Sequence, residues 1–453
     1  MSSTGMNIAG DAAGETGGNF FFQRRFLPMW TAFVLGVFTD NMLKQALLIG
    51  LTYKVLTLPG ISDPAVILPF AGALFAMAVF MFSPLSGQIA DKYETAFMFR
   101  RTKFIEFVLM LMAAVGFLLN NGLILILTLF FMGIQSAFFS PVRIGAMPKY
   151  LTPGELVRGN GICYGGLFVA NLTGYAVGGG LIEAAFGPWL ISAILVLMAA
   201  AGWGAVLFAP RAAADSPDLK INWNWFSQVG SMIRMVREEP PVIRPLLGGG
   251  IFWFIAAAIT VAFPIITIDV LQAKGTVATV MMGIFAVGGL IGAAITTLVP
   301  KAKSGLSLSV GAFVVAILIN VALFAVSEMM SVPRDGELLG VAAFFAEPGG
   351  ILLAALFVVA SAAMGVFLVP LQAAVQRRVR EAHRARIMAT SNMLNAFGAV
   401  LGSMFVLLIA ITPMRPHDLL LVIGALELLV VLYMLCRTAA VPEGLYDEVL
   451  SGR

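Results

Sequence analysis

The sequence predicts an all-α integral membrane protein: twelve transmembrane helices arranged as two pseudo-symmetric six-helix bundles. Three observations carry this. Only 11% of the 453 residues are charged and 60% are hydrophobic, whereas a soluble domain carries about 25% charged residues. Twelve apolar runs recur along the chain, each long enough to cross a hydrocarbon core of roughly 30 Å. The longest polar break falls after the sixth run and divides them equally.

In chain order, residues 1–25 open with a Gly/Ser/Ala-rich stretch and are expected to form a disordered cytoplasmic tail, with no removable signal peptide. The first bundle, 26–208, contains apolar runs at about 26–53, 65–89, 102–119, 122–142, 160–183 and 188–208. A linker, 209–242, alternates Trp223, Trp225, Phe226, Val229, Met232 and Ile233 with Arg234 and Arg237. That pattern predicts an amphipathic helix lying in the membrane interface. The second bundle, 243–437, contains runs at about 243–272, 276–299, 306–327, 349–372, 385–411 and 417–437, and residues 438–453 form a second tail. The runs are continuously apolar rather than alternating, which excludes a transmembrane barrel.

Charge sets the orientation. With the N-terminus in the cytoplasm, the inner segments hold 23 Lys and Arg, the outer segments only Lys54, Lys274, Arg334 and Arg415, and Lys44 lies within a span. The positive-inside rule therefore places both termini in the cytoplasm. Because the basic residues are spread between spans, the net charge of +4 implies no nucleic-acid partner. Cys163 and Cys436 both fall in or beside apolar runs and read as small core residues. No metal-ligand cluster, phosphate loop or catalytic constellation is visible, so neither a cofactor nor an enzyme activity is expected.

The stretch Phe38-Thr39-Asp40-Asn41-Met42-Leu43-Lys44-Gln45 sits halfway along the first run. A carboxylate at that depth costs roughly 2.5 kcal/mol or more on insertion scales, so it should face a protein interior or a watery cavity. Asp40, Asn41, Lys44 and Gln45 are read as one broad polar face. Asp40 and Lys44 could alternatively form a purely structural intrahelical pair.

The halves echo one another. Phe138-Phe139-Ser140-Pro141-Val142-Arg143 closes the fourth run, and Phe367-Leu368-Val369-Pro370 closes the tenth. A repeated proline at a helix end, followed by basic residues, suits a duplicated six-helix unit. Asn160 follows the first of these and Asn392 the second. Gly87-Gln88-Ile89-Ala90-Asp91, with Arg100 and Arg101 beyond, joins the second and third runs and resembles the gating-loop motif of the major facilitator superfamily. Asp91 there could oppose a basic residue or a helix N-terminus in the other half and latch one state. Gly174-Tyr175-Ala176-Val177-Gly178-Gly179 resembles the proton-coupled drug antiporter motif, except that Tyr175 replaces a proline.

A closer resemblance is to the bacterial lysophospholipid transporters. It rests on Phe38-Thr39-Asp40-Asn41, on Phe82-Ser83-Pro84 through Asp91, and on Ala137 through Gly145. Arg158-Gly159-Asn160-Gly161 and Phe367 through Gln372 extend it. The resemblance implies transport of lysophospholipids from the outer to the inner leaflet of the bacterial inner membrane, for reacylation by a separate acyltransferase. It also implies roles for Asp40, Asn41 and Arg143, although Arg143 could simply anchor to inner-leaflet phosphates. The family's arginine in the seventh span has no counterpart between Phe252 and Thr260, with Thr260 nearest by alignment; Lys44 is a cation the family lacks. A phosphate held by Lys44 would free Asp40 for a coupling cation, proton or sodium. Two rivals remain at this level: a proton-coupled exporter of amphipathic drugs or metabolites, and a non-transporting membrane scaffold or receptor.

Overall fold

A computed structural model describes residues 20–58, 60, 63–152, 155–298, 306–331, 337–378 and 384–438. Most of the two expected tails, 1–19 and 439–453, lies outside the described residues, as do His383 and the Cys436 side chain. The first bundle comprises α1 (Leu27–Thr52), α2 (Pro64–Lys92), α3 (Thr95–Leu118), α4 (Gly122–Tyr150), α5 (Leu156–Leu181) and α6 (Gly187–Leu207). A linker helix, α7 (Trp225–Glu238), follows. The second bundle comprises α8 (Pro240–Asp269), α9 (Gly275–Leu298), α10 (Leu306–Met330), α12 (Pro348–Arg378), α13 (Arg384–Ala410) and α14 (Asp418–Thr438), with the short α11 (Val341–Ala346) before α12. Among the described residues, nine helices are long and apolar enough to cross a membrane by length and composition. Of the other long helices, α3 carries Arg100, Arg101, Lys103 and Glu106, and α5 is diluted by glycine.

Several boundaries differ from the sequence reading, mostly because a helix outruns its apolar core. Residues 20–25 belong to the fold rather than to a tail. Phe20–Phe22 forms a 3-10 turn with Phe20 buried, and Arg25 grips Glu155 at 2.7 Å. The third helix begins at Thr95, so Arg100 and Arg101 are helical rather than in a loop. Pro141 and Pro370 do not end their helices: α4 runs on to Tyr150 and α12 to Arg378. Proline is tolerated inside spanning helices where neighbouring groups re-satisfy the freed carbonyl. Helix starts are capped locally. Asp63 accepts from Ala65 N at 2.9 Å, Asn121 from Leu123 N at 3.0 Å, and Asn224 from Ser227 N at 3.0 Å.

Within the first bundle α1 packs on α5 and α6, and α3 on α4 and α6; within the second, α13 packs on α8, α12 on α9 and α10, and α10 on α14. The bundles meet along α2–α13 and α5–α9. Glycine sets the first of these internal distances. A Cβ on Gly178 would lie 2.3 Å from Met42 O, so α5 approaches the α1 backbone only because this position lacks a side chain. The antiporter-like glycines therefore have a packing role in this fold.

The two ends of the molecule differ. At one end, here the basic face, lie Arg25, Lys149, Arg211 and the linker. Lys149 contacts Asp215 at 2.9 Å and Thr95 N donates to Ala212 O at 3.1 Å. At the opposite face the bundles are tied together. Tyr53 donates to Ala273 O at 2.7 Å, and Gly275 N donates to Glu183 Oε1 at 3.2 Å.

Candidate functional site

A central cavity of about 1370 Å³ lies between the bundles. Its lining reaches Asp91, Arg143, Lys220 and Met388 toward the basic face. Toward the opposite face it stops near Leu48, Gly72, Leu129 and Val261, below the ties just described. The chamber is thus closed at one end and reaches the other.

The α1 polar stretch divides into two stripes. Successive helical residues are 100° apart, while i and i+4 nearly eclipse. Gly36, Val37, Asp40, Lys44 and Leu48 make the stripe that lines the cavity. Asn41 and Gln45 fall on the neighbouring stripe, which faces α5, and are absent from the lining. Asn41 Nδ2 donates back to Val37 O at 2.7 Å. Gln45 is fully buried, and neither atom of its amide has a hydrogen-bond partner among the described residues. The single broad polar face read from the sequence is therefore corrected to half its width.

Asp40 and Lys44 do not pair with one another. Asp40 Oδ2 accepts from Ser136 at 3.3 Å, while its Oδ1 is buried without a partner. Lys44 Nζ sits 4.0 Å above the Phe75 ring, a cation–π contact that holds the ammonium without a direct ion pair. Arg143 lines the same chamber from α4. No hydrogen bond or ion pair is seen for its guanidinium among the described residues. Thr260 and Asn392 line the far wall; the Thr260 hydroxyl is engaged with Ala256 O at 2.7 Å.

Sequence reasoning missed the ion pair that stands beside Asp40. Lys103 and Glu106 of α3 form a wholly buried ion pair at 2.6 Å. Gln135 donates to Glu106 at 3.0 Å, and Lys103 Nζ lies 4.4 Å over the Phe139 ring. Gly36 makes room for it: a Cβ there would lie 2.2 Å from Lys103 Nζ. The signal was an i, i+3 Lys–Glu pair at the start of the third apolar run.

The gating-loop residues part company. Gly87 and Asp91 line the cavity near the basic face. The Asp91 carbonyl accepts from Ser216 N at 2.9 Å, and Gln88 Oε1 accepts from Asn222 N at 2.9 Å. Arg100 instead caps α6, donating to Leu207 O and Ala209 O at 3.3 Å each. Arg101 is exposed and lies 5.4 Å from the Phe97 ring. Both arginines serve the first bundle, because their helix starts earlier than the hydropathy pattern suggests.

The Major Facilitator Superfamily model matches residues 29–345. The chain belongs to the major facilitator superfamily. Lysophospholipid transporter LplT of Salmonella newport (strain SL254) and that of Salmonella typhimurium are each 29% identical to it over 248 residues. That alignment covers 53% of this chain and 56% of each relative, so the chain spans about half the length of the curated relatives it matches. Among solved structures, a POT family transporter in complex with 5-aminolevulinic acid aligns with TM-score 0.67 and 14% identity, over 92% of this chain and 97% of that one. The nucleoside transporter NupG aligns with TM-score 0.61 and 14% identity, over 90% and 98%. At that identity the structures establish the shared fold alone; the family match and the apolar helices make this a multi-pass membrane protein.

Proposed function

We propose that the protein carries lysophospholipids across the bacterial inner membrane, from the outer to the inner leaflet, by alternating exposure of the central cavity. One observation carries this reading. Every charged spanning-helix residue in the cavity wall comes from the first bundle: Asp40, Lys44, Asp91, Lys103, Glu106 and Arg143. The second bundle contributes residues such as Trp253, Ala256, Val261, Ala396 and Ala399, with Thr260, Asn392, Asn395 and Ser403 its polar groups. A chamber charged on one wall and apolar on the other suits a molecule with a charged head and a hydrocarbon tail.

The chemistry is a matter of solvation. The head's phosphate would meet Lys44 and Arg143, and an amine on the same head would meet Asp40 Oδ1, which already stands desolvated and unpartnered. The tail would lie against the second bundle and need not enter water, which keeps the desolvation cost low. When no amine occupies it, the unpartnered Asp40 Oδ1 can instead take a proton or sodium ion, so coupling to either is part of the proposal. A separate acyltransferase would then consume the delivered lipid. Both termini are placed on the cytoplasmic side by the basic residues, and Asp91 is assigned to the gate at that side.

Lysophospholipid uptake by spheroplasts tests the proposal. Asp40→Asn should lower uptake about tenfold or more, because the head loses a charge partner worth at least ~1.4 kcal/mol. Glu427→Gln should leave uptake unchanged, since Glu427 is buried away from the cavity against Asn320 Nδ2 at 2.9 Å. Equal loss in both variants, or none in either, contradicts the assignment.

A further inference from the structure

The linker helix α7 has two working faces. On one, Gln228 and Met235 are buried, and both line the central cavity with Ser231 and Met232. Trp225 meets Phe80 of α2 edge-on at 5.6 Å, and Phe80 in turn meets Phe397 of α13 at 5.2 Å. The linker is strapped to the first bundle through Asn222 N to Gln88 and Ser216 N to Asp91 O. It is tied to the second through Met235, which packs with Val242, Leu246, Val375 and Ile387. The helix therefore lies over the end of the α2–α13 seam at the basic face, touching both bundles.

The other face has no partner among the described residues. Trp223 is 71% exposed, Phe226 82% and Ile233 46%. Phe226, Gly230, Ile233 and Arg237 follow at helical spacing, with Arg234 beside them, and no contact is seen for either arginine. Aromatic and aliphatic anchors flanked by guanidinium groups, on a helix joined directly to the spanning α8, match the headgroup layer of an anionic bilayer rather than water.

We propose that α7 is a bilayer-held cover for the cavity. Its Trp223–Phe226–Ile233 edge and its two arginines bind anionic lipid headgroups, while its opposite face closes the end of the seam. Movement of the two bundles at the basic face must displace the helix, so anionic lipid biases which face of the chamber is open. This inference goes beyond the lysophospholipid reading and stands whatever the cavity carries.

The test uses the full chain with Cys163→Ser and Cys436→Ser and a nitroxide on Gly230→Cys, where an added side chain meets nothing within 4 Å. The protein is reconstituted in phosphatidylcholine vesicles with or without about one-third phosphatidylglycerol, and collision rates with oxygen and a water-soluble nickel chelate are compared. The oxygen preference should rise with phosphatidylglycerol. Arg234→Gln with Arg237→Gln should abolish that rise, shifting the docking equilibrium constant roughly thirty-fold at about fivefold per cation. Phe226→Ser with Ile233→Ser should lower oxygen preference in both vesicle types. A label equally exposed to nickel in both, or a rise that survives loss of both arginines, overturns the proposal. The first of these outcomes would place the face in water, where a soluble partner could use it.

Discussion

The two walls of the chamber face each other across one cavity yet are built on opposite rules. The α1–α3–α4 wall holds charges at mid-helix depth, whereas the α8–α13 wall facing it holds none. Buried charge without a ligand to meet costs several kcal/mol per ion, so a wall that keeps it is arranged for something other than stability. The contrast also sorts the charges of the first bundle. Lys103 and Glu106 satisfy one another and Gln135 completes them, while Asp40, Lys44 and Arg143 stand without ionic partners in the same chamber. The satisfied pair supports the wall, and under the proposed function the unsatisfied groups are the ones a bound head would meet.

Breaking the satisfied pair should produce the largest change in stability. Lys103→Met leaves Glu106 buried in the cavity wall without its counter-ion and should cost about 3–5 kcal/mol, read as a lower melting temperature in detergent. Lys103→Met combined with Glu106→Gln should recover most of that loss. A single variant as stable as the parent would mean that the pair contributes nothing to the wall, and the distinction between paired and waiting charges would fail.

A smaller effect separates surface pairing from both. Partial burial pushes the Glu155 carboxyl up, but hydrogen bonds from Arg25 and Thr152 outweigh this and hold it below its ordinary value of 4.5. A carboxyl lowered in the folded state contributes stability above its unfolded pKa and loses it as pH falls through the folded one. The melting-temperature gap between parent and Glu155→Gln should therefore be constant above about pH 5 and shrink on acidification. A gap independent of pH would assign the effect to packing instead.

Much of this arrangement was legible in the residues. Twelve apolar runs are long enough to name themselves, and Asp40 is conspicuous because hydrocarbon tolerates so few carboxylates. What escaped has physical causes. Helix ends were misplaced wherever the helix continues past its apolar core, as at Thr95 and Tyr150, because hydropathy records lipid contact and not hydrogen bonding. Asn41 and Gln45 were assigned to the cavity because spacing shows which residues share a stripe but not which stripe a neighbouring helix covers; close approach of α5 at Gly178 decides that. Lys103 stands at the very edge of the third apolar run, so its pairing with Glu106 became visible only once α3 was seen to begin about two turns earlier.

Under the proposed function the head rests on the charged wall and the tail on the uncharged one. Photolysis of a lysophospholipid carrying a diazirine in its acyl chain, followed by peptide mapping of adducts that excess unlabelled lysophospholipid removes, tests this directly. Competed adducts should fall on α8 and α13, around Ala256, Ala396 and Ala399. Competed adducts on the Asp40–Lys44 stripe of α1, or adducts that no competitor removes, would contradict it.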